Sequence, residues 1–301
     1  MIIKDITNYI EKLAPLSYAE DFDNVGLLVG NYNTKVTAVL VTLDTLEETI
    51  DEAIAKNCNL IISFHPIIFG GLKKLNGNSY VERVVLKAIK NDIAIYATHT
   101  ALDNSKNGVS AKMCEVLGLT NTKILIPKKG IIKKLTTYVP NKNSESLRTA
   151  LFAAGAGNIG NYDLCSFNVF GDGTFRGNEK SKPVLGEKGK LHTEPETKIS
   201  VTFESKNEKS ILKALQENHP YEEVAYEIVT TENVHQNIGM GMIGEFEIEM
   251  DEKDFLHYLK KTMKTDCVRH SAFINKKIKK VAVLGGSGSF AISNAKSASA
   301  D

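Results

Sequence analysis

The residues of this chain that could do chemistry follow two apolar, strand-like segments. His65 follows the segment 60–64, and His99 and Asp103 follow the segment 93–97. Imidazole and carboxylate groups are ligands that suit Zn, Mn or Fe. Because the carboxyl ends of parallel strands meet at one edge of a sheet, we expect these side chains to lie together. The pattern therefore predicts a divalent metal site at that edge.

These residues also have a purely structural interpretation. A histidine after a strand is more often hydrogen-bonded in a core or a turn than bound to a metal. Asp103 precedes Asn104 and Ser105, and an aspartate there can begin a turn or cap the following helix. Asp44 ends an earlier strand-like run, where it can face the same edge or N-cap the next helix. Spacing alone leaves both interpretations open.

A glycine-rich turn near the end of the chain also has two interpretations. Gly286, Gly288 and Ala291 match the pattern G-x-G-x-x-A between a strand and a helix, as in dinucleotide-binding proteins. The pattern lacks the second strand with an acidic residue that follows about 20 positions later in those proteins. Tight packing of the turn is the favoured interpretation.

A third group of ionisable residues lies in the segment HPYEEVAYEI, which contains His219, Glu222 and Glu223. In isolation the three side chains could form a binding site. Pro220, however, directly follows a helical pattern and precedes a strand-like one, which indicates a connection between two elements. The favoured interpretation is a turn with surface charges.

The elements that must position these residues alternate between strands and helices. Strand-like runs at 36–43, 60–64, 93–97 and 280–284 each precede a helical pattern. Because these strands are apolar on both faces, they predict a parallel sheet covered by helices on both sides, an α/β fold.

The middle of the chain has a different order, strand–helix–strand twice in series, which is typical of a ferredoxin-like α+β domain. We therefore predict an α/β domain, 1–133 and 232–301, interrupted by an inserted ferredoxin-like domain, 134–231, whose two halves are joined by a loop over 171–190. The last helix, 290–300, carries little charge, so we expect it to be buried and the second part of the α/β domain to be incomplete.

Composition limits the classes of partner. The net charge is +1, with 37 basic against 36 acidic residues, so no general attraction to nucleic acid or to anionic membranes is expected. The 4 cysteines are far apart and include no CxxC pair, which favours reduced thiols and a cytoplasmic protein. No apolar run approaches the roughly 20 residues that span a bilayer.

Five segments together resemble one family. They are FDNVGLLVG, SFHPIIFGGLKKL, HTALDNSKNGVS, HPYEEVAYEI and VAVLGGSGSF, and in this order they are similar to the Nif-three-like family, also known as GTP cyclohydrolase 1 type 2. The resemblance implies a homohexameric toroid with a centre of one or two metal ions. It makes His65 and Asp103 metal ligands, places His99 beside the metal as a candidate catalytic group, and has Asp23 and Asn24 line the same cavity.

Two departures from the family pattern bear on function. Phe64 stands where the family usually has the first of two adjacent histidines, and a phenylalanine cannot bind a metal. The family also uses a His and a Glu in a C-terminal segment that this sequence does not contain. The resemblance implies a metal-dependent hydrolase of a nucleotide-like substrate, and the alternative is a non-catalytic metal-binding regulatory or scaffold protein.

Overall fold

The computed structural model describes the whole chain, residues 1–301, as two compact units. The first unit combines Met1–Lys128 with Gln236–Asp301, and the inserted unit is Lys129–His235. The predicted bounds of the inserted domain, 134–231, lie inside the latter. The mixed α/β class expected from the sequence is confirmed.

The helices are short, and none has the length and apolar character needed to cross a lipid bilayer. In chain order, the strands are β1 Gly26–Val29, β2 Val39–Thr42, β3 Leu60–Ser63, β4 Ala94–Ala97, β5 Thr120–Lys128, β6 Ile132–Pro140, β7 Phe167–Phe175, β8 His192–Glu204, β9 Tyr226–Thr230, β10 His235–Asp251 and β11 Lys277–Val283. The helices are α1 Ile3–Leu13, α2 Glu47–Ala55, α3 Tyr80–Lys90, α4 His99–Asp103, α5 Val109–Val116, α6 Ser144–Ala153, α7 Glu208–Asn218, α8 Glu252–Thr262 and α9 Ile292–Ser297.

The first unit contains a sheet with the order β1-β4-β3-β2. Strands β2, β3 and β4 run parallel, as the sequence predicts, and β1 pairs antiparallel with β4. Strand β1 lies in the segment FDNVGLLVG and is not predicted, because no helical pattern follows it and it is outside the alternation of strands and helices. It extends the sheet on the side of β4.

Helices cover both faces of this sheet because the first three residues of β3, one of its two central strands, are apolar. Leu60 faces a cluster that includes Ile3 of α1, and the next residue, Ile61, faces a cluster that includes Ile50 of α2 and Val84 of α3. All five side chains are fully buried. Successive side chains of a strand point to opposite faces of the sheet. Consecutive apolar residues therefore need a covering layer on each face.

A second sheet of the first unit has the order β11-β10-β5, and it corrects one prediction. The strand predicted over 280–284 is expected to join the parallel sheet, whereas β11 pairs antiparallel with β10, with Met242 opposite Val283. That prediction is wrong because β11 pairs with the strand that precedes it in the chain and not with a strand of the parallel sheet. Local periodicity carries no information about such a partner.

The inserted unit has one antiparallel sheet with the order β7-β8-β6-β9, and α6 and α7 pack on it. This is the order of a split strand–helix–strand fold, as the two repeated patterns predict. Leu135 of β6 and Val201 of β8 meet Leu147 of α6 and Ile211 of α7 in its core.

Strand β7 is longer than the sequence indicates. The predicted loop 171–190 begins with Gly-Asp-Gly, yet these residues continue the β7–β8 ladder, with Gly171 opposite Glu196. A Cβ on Gly173 would lie 2.1 Å from Oε2 of Glu196. The glycine therefore leaves room for the Glu196 side chain of the neighbouring strand, and β7 continues through it.

The expectation that the last helix is buried is also wrong. Helix α9 has no buried residue, and Ile292 at its start is 67% exposed. Serine and alanine side chains offer little apolar area, so a helix that contains them gains little free energy from burial even when it carries few charges.

We expect Gly30→Ala to destabilise the first unit by about 2–4 kcal/mol. Gly30 follows β1 with a φ of +103°, and a Cβ there would lie 2.6 Å from Cβ of Ala94 in β4. Gly77→Ala is the matched control, because Gly77 has a φ of +82° but its nearest atom would lie 3.7 Å away. Its expected cost is about 1 kcal/mol. Equal losses for the two variants in urea unfolding would contradict the packing argument.

Candidate metal centre

The candidate residues follow the ends of the three parallel strands. The last residues of β2, β3 and β4 lie side by side in the parallel register, with Thr42 opposite Ser63 and Ser63 opposite Ala97. Two positions further on, Asp44, His65 and His99 fall side by side. Backbone hydrogen bonds extend the ladder, since His65 N–H donates to the Leu43 carbonyl at 3.0 Å and His99 N–H donates to the Phe64 carbonyl at 2.9 Å.

His65 is held by Asp44. Nδ1 of His65 lies 2.7 Å from Oδ1 of Asp44, and the two side chains are about half exposed. This contact leaves Nε2 of the imidazole for a ligand, the arrangement in which a carboxylate orients a metal-binding histidine. The N-cap of α2 is Leu46, so Asp44 faces the edge of the sheet and does not cap the helix.

His99 is held in the same way by Asp23. Nδ1 of His99 lies 2.8 Å from Oδ1 of Asp23, whose side chain is fully buried. Burial raises the pKa of Asp23, but hydrogen bonds from His99, from the N–H and hydroxyl of Thr100 and from the N–H of Asn24 outweigh it and hold the pKa below its usual range. Asp23 therefore stays a carboxylate and fixes the ring of His99.

The backbone of His99 has a φ of +25°, in the left-handed region that favours glycine. Such a conformation in a histidine costs about 1–3 kcal/mol and persists where the surrounding contacts fix it, commonly at functional sites. The contact with Asp23 and the backbone bond to Phe64 supply those contacts here.

Asp103 is the last residue of α4, one helical turn after His99. Its Oδ1 is buried and has no hydrogen-bond partner. Burial raises the pKa of Asp103 to about 6; the nearby His99 and His65 lower it and Asp23 raises it. The N-cap of α5 is Gly108, so Asp103 does not cap the next helix.

These residues fit a divalent cation in their chemistry. A buried carboxylate oxygen without a partner is costly, and a bound cation would compensate it. Gly285, in the turn after β11, borders the same oxygen, with a Cβ position 3.7 Å from Oδ1 of Asp103. No group of three or more His, Cys, Asp or Glu side chains in this chain is arranged to hold a metal. His65 and Asp103 would therefore be completed by water or substrate.

Phe64 forms an apolar wall of the centre. Its ring centroid lies 5.0 Å from that of His65 and 5.5 Å from that of His99, and the two imidazoles are themselves 5.5 Å apart. The residue that departs from the family pattern thus contacts both histidines. It supplies no ligand, and it lowers the polarity around the imidazoles.

Asn24 and Thr100 hold the segments around the centre in place. Nδ2 of Asn24 donates to the Ile68 carbonyl at 2.6 Å, which ties the segment before β1 to the loop after β3. The Thr100 hydroxyl contacts Asp23 and also accepts from the N–H of Glu20 at 3.0 Å. Thr100 is not among the site residues predicted from the sequence, although its position directly after His99 places it next to the candidate centre.

The other candidate groups have structural roles. His219 is buried, its Nε2 lies 2.9 Å from the Tyr138 carbonyl, and its Nδ1 accepts from the N–H of Tyr221 at 3.1 Å. Burial is the main cause that lowers the pKa of His219. Glu222 accepts from the N–H of Lys182 at 2.6 Å. The segment is therefore a connection, as its proline indicates.

Comparison with known proteins places this chain in a family. The model of the Duf34/NIF3 (NGG1p interacting factor 3) family matches residues 1–301. A Bacillus subtilis protein named GTP cyclohydrolase 1 type 2 homolog is 40% identical over 299 residues, which are 99% of this chain and 80% of that protein. A Staphylococcus aureus protein of the same name is 33% identical and covers 96% of this chain, with 78% of its own length matched.

Solved structures agree with the sequence comparison. A Bacillus cereus protein related to NIF3 superposes with a TM-score of 0.82 at 38% identity, covering 100% of this chain and 81% of the other. A Staphylococcus aureus protein gives a TM-score of 0.75 at 31% identity, with 100% and 80% covered. The chain has the fold of this class of two-unit α/β proteins. It belongs to the Duf34/NIF3 family, which confirms the resemblance.

We expect Asp103→Asn to stabilise the metal-free protein at pH 8 by about 1–2 kcal/mol. Since the pKa of Asp103 is raised from 3.8 to about 6 in the folded state, the folded chain binds an extra proton between these values. The stability this gives is present below the lower value and lost as pH rises through the upper one. The variant and parent should therefore converge near pH 4.

Urea unfolding in EDTA at both pH values tests this. Asp266→Asn, at an exposed aspartate, serves as the control. It should leave the free energy of unfolding unchanged at both pH values. A parent chain as stable as Asp103→Asn at pH 8 would contradict the conclusion that the carboxylate is buried at a cost.

Proposed function

We propose that this protein is a metal-dependent hydrolase of a nucleotide-like or cyclic substrate, with His65 and Asp103 as ligands of a divalent Zn, Mn or Fe ion. The proposal rests on one observation, the buried and unpartnered Oδ1 of Asp103 beside two imidazoles whose Nδ1 atoms are already engaged. An apolar or purely structural site has no need for a carboxylate in that position.

Each residue has a separable role in this proposal. Asp44 orients His65 so that Nε2 faces a ligand, and Asp103 supplies a negative oxygen. Asp23, kept charged by its hydrogen bonds, holds the Nδ1 proton of His99. Nε2 of His99 is then the basic nitrogen, and it can take a proton from water or return one to a leaving group.

A bound divalent ion would supply Lewis-acid chemistry, lowering the pKa of water and polarising the bond under attack. The chain itself contributes the orientation of both imidazoles and the wall of Phe64, which excludes water from one side of them. Both contributions favour proton transfer at a defined nitrogen, because electrostatic interactions strengthen where water is excluded.

The second candidate is a metal-binding regulatory or scaffold protein without turnover. The small number of ligands favours it, since catalytic zinc sites commonly have three protein ligands and the chain has no group of three. Turnover separates the two candidates, because both bind metal and only the first hydrolyses a substrate. The homohexamer and the cytoplasmic location implied by the family resemblance stay predictions.

We expect the purified chain to carry near-stoichiometric divalent metal, and His65→Ala and Asp103→Ala each to lose it. Plasma mass spectrometry on the three proteins measures this directly. His257→Ala and Asp266→Ala change the same residue types at exposed positions and should retain the metal. Metal-loaded parent protein is then incubated with a panel of nucleotides.

The outcomes separate the hypotheses. Metal lost in both site variants, together with hydrolysis of at least one nucleotide, supports the hydrolase. The same metal result with no hydrolysis supports the scaffold protein. Metal that is absent from the parent, or retained in both site variants, contradicts the proposed centre.

Asp44→Asn should weaken metal binding by about 10- to 100-fold, because the carboxylate that orients His65 is replaced by a neutral amide. Competition with a chelator of known affinity measures the change. Asp51→Asn is the matched control, since Asp51 lies on helix α2 and pairs with Lys87 of α3 at 2.6 Å. An unchanged affinity in Asp44→Asn would show that the 2.7 Å contact is not used by a bound metal.

A further inference from the structure

Two phenylalanine side chains are exposed beside the candidate centre. Phe22 is 65% exposed and Phe69 is 55% exposed, and their ring centroids lie 6.4 Å apart. The ring of Phe69 also lies 6.3 Å from that of His99, at an interplanar angle of 77°. The pair therefore extends from the catalytic imidazole toward solvent.

The backbone around both rings is fixed although the rings are exposed. Phe22 lies in a turn closed by the N–H of Asp23, which donates to the Glu20 carbonyl at 3.0 Å. Asp23 is anchored in turn to His99. On the other loop, the Ile68 carbonyl next to Phe69 accepts from Asn24 at 2.6 Å, so one hydrogen bond joins the two segments.

Single exposed apolar residues are normal on a protein surface and need no explanation. This pair differs because its members come from two separate loops, contact each other and adjoin an imidazole of the candidate centre. Gly70 and Gly71 follow Phe69, and a Cβ on either would meet no atom within 4 Å, so the space beside these two glycines is open.

The chemistry of the pair specifies its ligand. Phenylalanine has no hydrogen-bonding group, so it packs against a flat ring face to face or edge to face and leaves the polar groups of that ring to other partners. The polar groups that can read or attack the edge of such a ring, His99 and Asp103, lie at the inner end of the pair.

We propose that Phe22 and Phe69 form a stacking platform for the planar heteroaromatic ring of the substrate, which directs the edge of that ring to His99. This inference rests on the proposed hydrolase function and specifies the substrate class of the same centre. The platform binds the ring independently of the metal, because neither phenylalanine contacts His65 or Asp103 through any ring or polar interaction.

The test is equilibrium binding of 2-aminopurine riboside, a fluorescent purine analogue whose emission falls on stacking. The chain has 0 tryptophans, so protein emission contributes little background. Titrations are made in EDTA with the parent, with Phe22→Ala and with Phe69→Ala. We expect saturable quenching in the parent and an affinity at least about fivefold weaker in each variant.

Two further variants separate stacking from general apolar contact. Phe69→Tyr keeps the aromatic face and should retain the affinity, whereas Phe69→Leu keeps apolar volume and should lose it. Phe273→Ala is the control for an unrelated phenylalanine–histidine pair, since Phe273 stacks on His270 with centroids 4.8 Å apart. That variant should bind as the parent does.

Three results would overturn the platform. They are no saturable quenching by the parent, unchanged affinity in both alanine variants, or equal affinity in the leucine and tyrosine variants. Sedimentation of the same proteins tests a second copy of the chain as the occupant. Alanine variants that dissociate an oligomer but bind the probe normally would assign the pair to a subunit interface and overturn the proposal.

Ring binding and metal content test the platform and the metal centre separately. Ring binding by a parent protein that is purified without metal would retain the platform and remove the metal centre. Stoichiometric metal without ring binding would retain the centre and remove the platform.

Discussion

The lateral register of three short parallel strands is the constraint on which the candidate centre depends. The last residues of β2, β3 and β4 are paired with one another. The residues two positions further on, Asp44, His65 and His99, therefore meet at one edge of the sheet. A slip of one residue in either pairing would turn a side chain to the other face. The buried strand residues on both faces, such as Leu60 and Ile61, oppose that slip.

The centre combines groups that stabilise the fold with one that does not. Each imidazole is paired with a carboxylate, and the Asp23 carboxylate is fully compensated by hydrogen bonds. Asp103, in contrast, has a buried oxygen without a partner, and burial raises its pKa to about 6. A residue that lowers the free energy of unfolding in this way is typical of functional sites, where a ligand or a proton supplies the missing interaction.

Much of the fold followed from local pattern, and the exceptions share a cause. Strands β2, β3 and β4 are apolar runs that alternate with amphipathic helices, so their existence and parallel direction were predictable. Strand β1 is outside that alternation, and β11 pairs antiparallel with the preceding strand β10 instead of joining the parallel sheet. The glycines of β7 resemble a loop until the neighbouring Glu196 is known. Each exception depends on a contact between residues far apart in sequence.

For the candidate centre, the sequence by itself determined that His65, His99 and Asp103 converge, because parallel strands place their carboxyl ends at one edge. Only the tertiary structure decided which carboxylate holds which imidazole, that Oδ1 of Asp103 has no partner, and that Phe69 adjoins His99. The physical reason is that strand order and direction follow from hydrophobic period, which is local. Hydrogen-bond partners and burial follow from the packing of several segments at once.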